Sequence, residues 1–285
     1  MVAEHVFGVC AEVECFELMG NYAAFGCKDT AAEEAGKAFV MTISEGETPV
    51  YAEELRQEDE EQEIICGRTN DGRHVFEFRW WQQTAGWLVC NDGYHDGRLV
   101  MAGMHQKMAI DNALMVLYAL ATANRLTMLF HAAVVSLDGK GYMFLGKSGT
   151  GKSTHARLWL QHIKGAELVN DDNPVVRLYD DGRAIVYGSP WSGKTPCYRN
   201  VAYALKGIVI LSQAPYNKIH RLDGLNAYAA LVSSISGKRW DKAIADGLHQ
   251  SENRLVQQVA IWHLECLPDR EAALLCRKEA GHDNG

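Results

Sequence analysis

The sequence predicts an α/β protein: a mainly β N-terminal domain over residues 1–103, an α/β domain over 104–270 and a polar tail over 271–285. Three observations carry this. Residues 146–153 read Gly146-Lys147-Ser148-Gly149-Thr150-Gly151-Lys152-Ser153, which fits G-x-x-x-x-G-K-S/T and sits between an apolar stretch and a helix-like one. Residues 104–124 contain no Gly or Pro and are rich in Ala, Leu and Met, which favour helix. Within residues 1–103, short apolar runs alternate with Asn-Asp-Gly turn signals.

Residues 1–20 place Val2, Val6, Val9, Val13 and Phe16 among polar residues, and the reading is a strand. Lys37 to Ile43 reads as a strand, and the acidic run Glu53 to Glu63 as an exposed turn or short helix. Strands follow at Glu63 to Gly67, Arg73 to Trp80 and Gly86 to Cys90. Asn70-Asp71-Gly72 separates the first two and Asn91-Asp92-Gly93 follows the third, so residues 1–103 read as a mainly antiparallel meander.

In the helix at 104–124, Leu114, Leu117, Tyr118 and Ala121 share one face. Met128 to Ser136 reads as one buried strand, and Asp138-Gly139-Lys140-Gly141 as a turn into a strand that ends at the glycine-rich loop. Beyond the loop come a helix at 153–163, strands at 166–170, 174–179 and 183–188, and a strand from Leu205 to Ser212. Leu225 to Ser234 and Trp240 to Val259 read as helices, and His263 to Leu267 as a strand or loop. The tail from Glu279 reads as polar and frayed.

The chain has 285 residues, 47% hydrophobic and 22% charged, which is ordinary for a soluble globular protein. Its longest apolar stretch, Ala113 to Ala123, is too short to span a bilayer, so no membrane partner is expected. Glu4, Glu12, Glu14 and Glu17 stand where a signal peptide would carry basic residues. The eight cysteines form no C-x-x-C pair, and with a nucleotide loop they read as reduced thiols of a cytoplasmic protein. Residues 1–125 hold 21 acidic against 9 basic side chains, which argues against nucleic acid as a partner; residues 126–285 hold 15 against 19.

In the loop motif, glycines let the backbone wrap a phosphate chain while successive N–H groups point inward. Lys152 would reach the β/γ-phosphates and the Ser153 hydroxyl would take a place on Mg²⁺. Glu167-Leu168-Val169-Asn170-Asp171-Asp172-Asn173-Pro174 follows, an apolar strand ending in acid, as a Mg²⁺-nucleotide site requires. One Asp can hold the cation while the other accepts the proton of an attacking hydroxyl; the alternative is an Asx turn before Pro174. In Gly188-Ser189-Pro190-Trp191-Ser192-Gly193-Lys194, Lys194 is read either as a contact to a phosphate or acidic substrate group or as a surface lysine. Trp191 is a packing residue or a substrate platform, and Arg199 a stabiliser of transferring phosphoryl charge or a surface arginine. His263 and Cys266 have a metal-like spacing, but two ligands make no site.

These residues give the chain a resemblance to HPr kinase/phosphorylase and, more distantly, to the nucleotide core of phosphoenolpyruvate carboxykinase. HPr kinases carry a His in the strand before the loop, then G-x-S-G-x-G-K-S, then an apolar-x-D-D segment. Here those are His131, Gly146 to Ser153, and Leu168-Val169-Asn170-Asp171-Asp172, with the likeness spanning roughly residues 128–212. The resemblance implies a P-loop α/β fold, ATP as nucleotide and Mg²⁺ as its cation. It also implies Asp171 and Asp172 as acid/base and metal residues, with His131 lining the phosphate site. Without it, His131 reads first as a core histidine. Where HPr kinases carry E-x-R-G-x-G, this chain has Tyr187 to Lys194, similar to HPr-kinase-like proteins found beside peptide-modification genes. No counterpart of the carboxykinases' Arg-bearing substrate segments is present, so decarboxylation is not expected.

The expected activity is Mg²⁺-dependent phosphoryl transfer from ATP to a serine-type hydroxyl in a protein, peptide or small molecule. Lys152, Asp171, Asp172 and His131 are the expected catalytic residues, with Asp171 taking the hydroxyl proton and Ser153 and Asp172 on the metal. The alternatives are a weakly catalytic nucleotide-binding regulatory module, and a phosphorylase or hydrolase running the site in reverse. Kinases of this likeness often form rings, so a homo-oligomer is also an expectation.

Overall fold

The computed structural model describes residues 1–27, 36–59, 61–193 and 195–281. It has mixed α/β architecture in two compact units, one containing Ala3–Thr122 and the other Ala123–Gly285.

The first unit is built on seven strands: β1 (Val6–Cys10), β2 (Lys37–Ser44), β3 (Tyr51–Asp59), β4 (Gln62–Thr69), β5 (His74–Trp80), β6 (Gln83–Cys90) and β7 (Asp96–Met101), in the order β1-β2-β7-β6-β5-β4-β3. β3 to β7 form the expected antiparallel meander. The other two strands depart from it, since β2 joins β7 in parallel and β1 joins β2 in parallel. Residues 1–20, read as a strand, hold β1 and then the short helix α1 (Val13–Glu17).

The acidic run read as a turn or short helix is instead β3, paired with β4 from Tyr51↔Thr69 to Asp59↔Gln62. Charge is tolerated there because β3 is an edge strand, where solvated and paired side chains also discourage further strand addition. Arg56 bridges Glu53 at 2.9 Å and Glu63 at 3.0 Å.

Helix α2 (Gln106–Thr122) lies against β2, β5, β6 and β7, burying Ala109, Ile110, Ala113, Leu114, Leu117 and Tyr118. The approach is close enough that a Cβ on Gly97 would stand 2.8 Å from Leu117 Cδ2. Because α2 buries its apolar face on this sheet, the first unit runs through Thr122, past the boundary expected at residue 103.

The second unit holds β8 (Thr127–Leu129), β9 (Ala133–Leu137), β10 (Lys140–Leu145), β11 (Glu167–Asn170), β12 (Val175–Leu178), β13 (Ala184–Tyr187), β14 (Ala202–Gln213), β15 (Lys218–Leu222) and β16 (Ala260–Cys266). The main path is β11-β9-β10-β14-β13-β12-β8, with β16 on β14 and β15 on β16. The stretch Met128 to Ser136, expected as one strand, is two strands in different parts of the sheet. The break has a backbone cause: the amides of Phe130, His131 and Ala132 donate to Pro174, Ser234 and Asp172 respectively, so no single partner strand continues.

Three segments that read as helices are helices with shifted bounds: α3 (Lys152–His162), α4 (Gly224–Val232) and α5 (Lys242–Gln258). α5 starts after Asp241, whose side chain accepts from the Ala243 amide at 3.1 Å. The span from residue 271, expected as a polar tail, forms α6 (Arg270–Gly281). Ala272, Ala273, Cys276 and Ala280 recur at helical spacing and are buried, and this face packs on α3.

The core under α3 and α6 includes Val135, Phe144, Ala156, Trp159, Val209, Leu211 and Leu264. Trp159 lies with its ring 5.0 Å from Tyr142 and 5.4 Å from Phe144. No helix among the described residues is long and apolar enough to cross a membrane.

Candidate functional site

β9 runs antiparallel to both β10 and β11, with Ala133 opposite Phe144 and Val134 opposite Asn170. The residues just before β9 and just after β10 and β11 therefore leave the sheet at one edge. They are His131 and Ala132, the glycine-rich loop, and the Asp171-Asp172 pair. With neighbouring strands about 4.8 Å apart, the ends of β10 and β11 stand about 10 Å apart with β9 between. β14 and β16 run parallel to β10 and carry Gln213 and Cys266, which face each other in register, to the same edge.

The loop depends on glycine. Gly146, Gly149 and Gly151 have φ of 153°, 78° and 100°, a region that side-chain-bearing residues rarely enter. At Gly146 a Cβ would also come within 2.5 Å of Thr150 Oγ1. The Thr150 amide and hydroxyl both donate to the Lys147 carbonyl, at 3.2 and 2.7 Å. Helix α3 starts directly at Lys152, leaving its first-turn amides without intrahelical acceptors and directed at the loop. Lys152 is buried and donates from Nζ to the Gly146 carbonyl at 3.0 Å, so the ammonium closes over the loop. Gln213 Nε2 donates to the Gly149 carbonyl at 3.2 Å and ties the loop to the end of β14. Lys147 and Ser148 form the exposed tip, and Ser153 is half-buried in the first turn of α3.

At the end of β11, Asn170 is fully buried and uses its whole carboxamide. Its Oδ1 accepts from the amides of Asp172 at 2.9 Å and Asn173 at 2.8 Å. Its Nδ2 donates to Ser189 Oγ and to the Trp191 carbonyl, both at 3.1 Å. The Asx turn weighed as an alternative is thus present, but Asn170 builds it, leaving both aspartates for other contacts.

The Asp171 side chain turns toward residues 192–195. Its Oδ1 accepts from Ser192 Oγ at 2.6 Å and the Gly193 amide at 2.9 Å, and its Oδ2 from the Thr195 amide at 2.9 Å. Asp172 has another setting: its side chain is 30% exposed, its Oδ1 lies 3.6 Å from His131 Nδ1, and its Oδ2 accepts from Asn173 Nδ2 at 2.8 Å. His131 is partly exposed beside it, not enclosed in the core.

The remaining expected residues divide. Lys194 lies outside the described residues. Trp191 is buried, its carbonyl accepting from Asn170 Nδ2 and its amide donating to Ser189 Oγ. Arg199, expected to meet phosphoryl charge, instead grips β11: Nη1 donates to the Leu168 carbonyl at 2.6 Å and Nη2 pairs with Glu167 at 2.8 Å. His263 and Cys266 are three apart on one strand and so point to opposite faces; His263 Nε2 meets Ser212 Oγ at 2.9 Å. Asn170, Ser192 and Gln213 were not singled out from sequence. Only Asn170 carried a signal, as a turn-forming residue at the end of an apolar strand.

His155 supports α3 from beneath. Burial pushes its imidazole down to about 4, and neutral Nε2 accepts from Trp159 Nε1 at 3.2 Å. The unfolded chain protonates this group near pH 6.5 and the folded chain only near 4, so between them the unfolded state binds more protons and stability falls with falling pH. The expected loss from this group is about 3 kcal/mol across that window. Urea unfolding at pH 7, 5.5 and 4.5 should show a flatter dependence for His155→Gln than for the unmodified chain. Parallel curves would refute a neutral, buried His155.

Comparison with known proteins gives three findings. The family model described as ScmC, SynChlorMet cassette protein ScmC, matches residues 100–265, more than half of the chain. The solved Hpr(Ser) kinase/phosphatase from Coxiella burnetii aligns with 53% of this chain and 91% of its own, at 11% identity and a TM-score of 0.31. A search of the curated proteins finds no match.

Proposed function

The chain belongs to the ScmC family, and we propose that it transfers a phosphoryl group from a Mg²⁺-bound nucleotide, ATP, to a hydroxyl acceptor, as its HPr-kinase-like motifs suggest. The observation that carries this reading is the meeting, at one edge of the sheet, of a loop of left-handed glycines closed by buried Lys152 with the partly exposed Asp172–His131 pair.

In this reading the amides of residues 147–152 and the Lys152 ammonium hold the phosphate chain. The acceptor oxygen attacks the γ-phosphorus, the bond to the β,γ-bridging oxygen breaks, and the hydroxyl proton passes to the Asp172 carboxylate. Asp172 takes the role expected of Asp171, because Asp171 would have to surrender its bonds to Ser192, Gly193 and Thr195 to accept a proton. Asp171 instead fixes Ser192, Gly193 and Thr195 on the acceptor side. Asn170 sets the register of both aspartates.

Mg²⁺ fits the donors present. No group of three or more His, Cys, Asp or Glu among the described residues is placed to hold a metal, whereas Mg²⁺ usually arrives on phosphates and keeps water with one or two protein oxygens. The Ser153 hydroxyl would be the direct protein oxygen, and Asp172 would meet the cation only through water, so that its carboxylate still accepts a proton. When bound, the cation neutralises charge on the phosphate oxygens. The protein's own part is mostly positioning and charge complementarity.

Incubation with γ-labelled ATP, Mg²⁺ and fractions of proteins, peptides and small alcohols tests the proposal. Transfer of label to a hydroxyl acceptor, lost on chelation of the cation, is expected. Binding of ATP without any turnover would replace this reading with the regulatory-module one.

A further inference from the structure

A cavity of about 710 Å³ opens on the other side of the glycine loop from Asp172, within the range of small-molecule sites. One wall is the loop itself at Gly149 to Gly151. Leu158 of α3 and Leu211 of β14 supply apolar surface, and Leu267 and Pro268 close it beyond β16. Gln213, already tied to the Gly149 carbonyl, is a polar group at its rim, and the half-buried Cys266 thiol lines it too.

The topology gives the cavity a direction. Reading across the sheet edge, the order is β11 with the aspartates, β9 with His131, β10 with the loop, then β14 and β16 with the cavity. A chain of phosphates held in the middle has one end toward Asp172 and the other toward the cavity.

We infer that this cavity is a nucleoside subsite. It takes the heterocyclic base and sugar of the nucleotide against Leu158, Leu211 and Leu267, so that the terminal phosphate is presented to Asp172. The inference rests on the phosphate-loop reading of residues 146–153. It further assigns Gln213 as the residue that couples base occupancy to the loop, through its bond to the Gly149 carbonyl.

Two measurements test it on the full chain. The first is peptide-resolved alkylation of Cys266 by N-ethylmaleimide, with exposed Cys10 and Cys27 as internal references. Mg²⁺-ATP is expected to slow modification of Cys266 at least tenfold, and Mg²⁺-tripolyphosphate to leave it within twofold. The second is Ala214→Trp, at a position that also lines the cavity. It is expected to weaken ATP at least tenfold and leave tripolyphosphate affinity unchanged. If the variant does not fold, the alkylation of the unmodified chain decides the matter.

Equal protection by both ligands, or tripolyphosphate binding as tightly as ATP with Cys266 unprotected, overturns the subsite while the phosphate loop stands. Binding of neither ligand to the unmodified chain overturns the loop reading, and the subsite with it.

Discussion

Lys152→Ala is expected to weaken ATP binding on the order of 100-fold, measured by titration calorimetry, while the thermal melt remains cooperative. The side chain sits in the first turn of α3 and is buried, with Nζ bonded to the Gly146 carbonyl across the loop. An ammonium in that place has two roles. It anchors the loop when empty, and it supplies a charge that phosphate oxygens can share. Each charge-assisted hydrogen bond contributes about 1.5–3 kcal/mol, so one or two such bonds amount to the expected loss. Alanine also frees the Gly146 carbonyl, which solvent can reach in the half-exposed loop. Lys152→Arg is expected to restore little, because the planar guanidinium cannot replace a compact ammonium folded onto one carbonyl. ATP affinity within threefold of the unmodified chain would remove the loop from the nucleotide site.

The glycine-rich loop was legible in sequence because its constraint is local. Left-handed φ values at Gly146, Gly149 and Gly151 select glycine, and the following helix needs no distant partner to be recognised. The strands around it were legible for the same reason, as apolar runs between turn residues. What escaped sequence reading depends on non-local partners. The break at Phe130 to Ala132 exists because three amides find acceptors in three separate segments. β3 is acidic, and only its pairing with β4 makes it a strand. α6 reads as a tail in sequence because its buried residues are small: Ala272, Ala273, Cys276 and Ala280 carry little hydrophobic signal apart from their spacing.

At the site, the same distinction separates the two aspartates. As neighbours in sequence they are chemically identical. The backbone amides of Gly193 and Thr195, which any residue except proline possesses, are what commit Asp171 to the loop. Likewise Arg199 is engaged by Glu167 and the Leu168 carbonyl, more than thirty residues away in sequence.

The second large effect is expected at Asp172, and comparison with Asp171 makes it specific. Asp172→Asn should lower the phosphoryl-transfer rate on the order of 10³-fold, within the range that loss of a proton acceptor produces, with ATP affinity changed less than threefold. The substitution preserves shape, and the new carboxamide oxygen can still accept from Asn173 Nδ2, so the turn built by Asn170 is kept. Asp171→Asn acts by another route. Its carboxylate accepts from three donors, and a carboxamide NH₂ would set a donor against the Gly193 or Thr195 amide or the Ser192 hydroxyl. The expected result is a loosened hold on Ser192, Gly193 and Thr195, seen as faster proteolysis near them and a raised KM for the acceptor, with a smaller fall in kcat. A rate for Asp172→Asn within tenfold of the unmodified chain, together with a thousandfold fall in kcat and an intact loop for Asp171→Asn, would return the proton to Asp171. Loss of transfer in both variants with intact ATP binding and an ordered loop would mean that the two carboxylates act on the reacting groups together, and that the bonds to residues 192–195 open when nucleotide is bound.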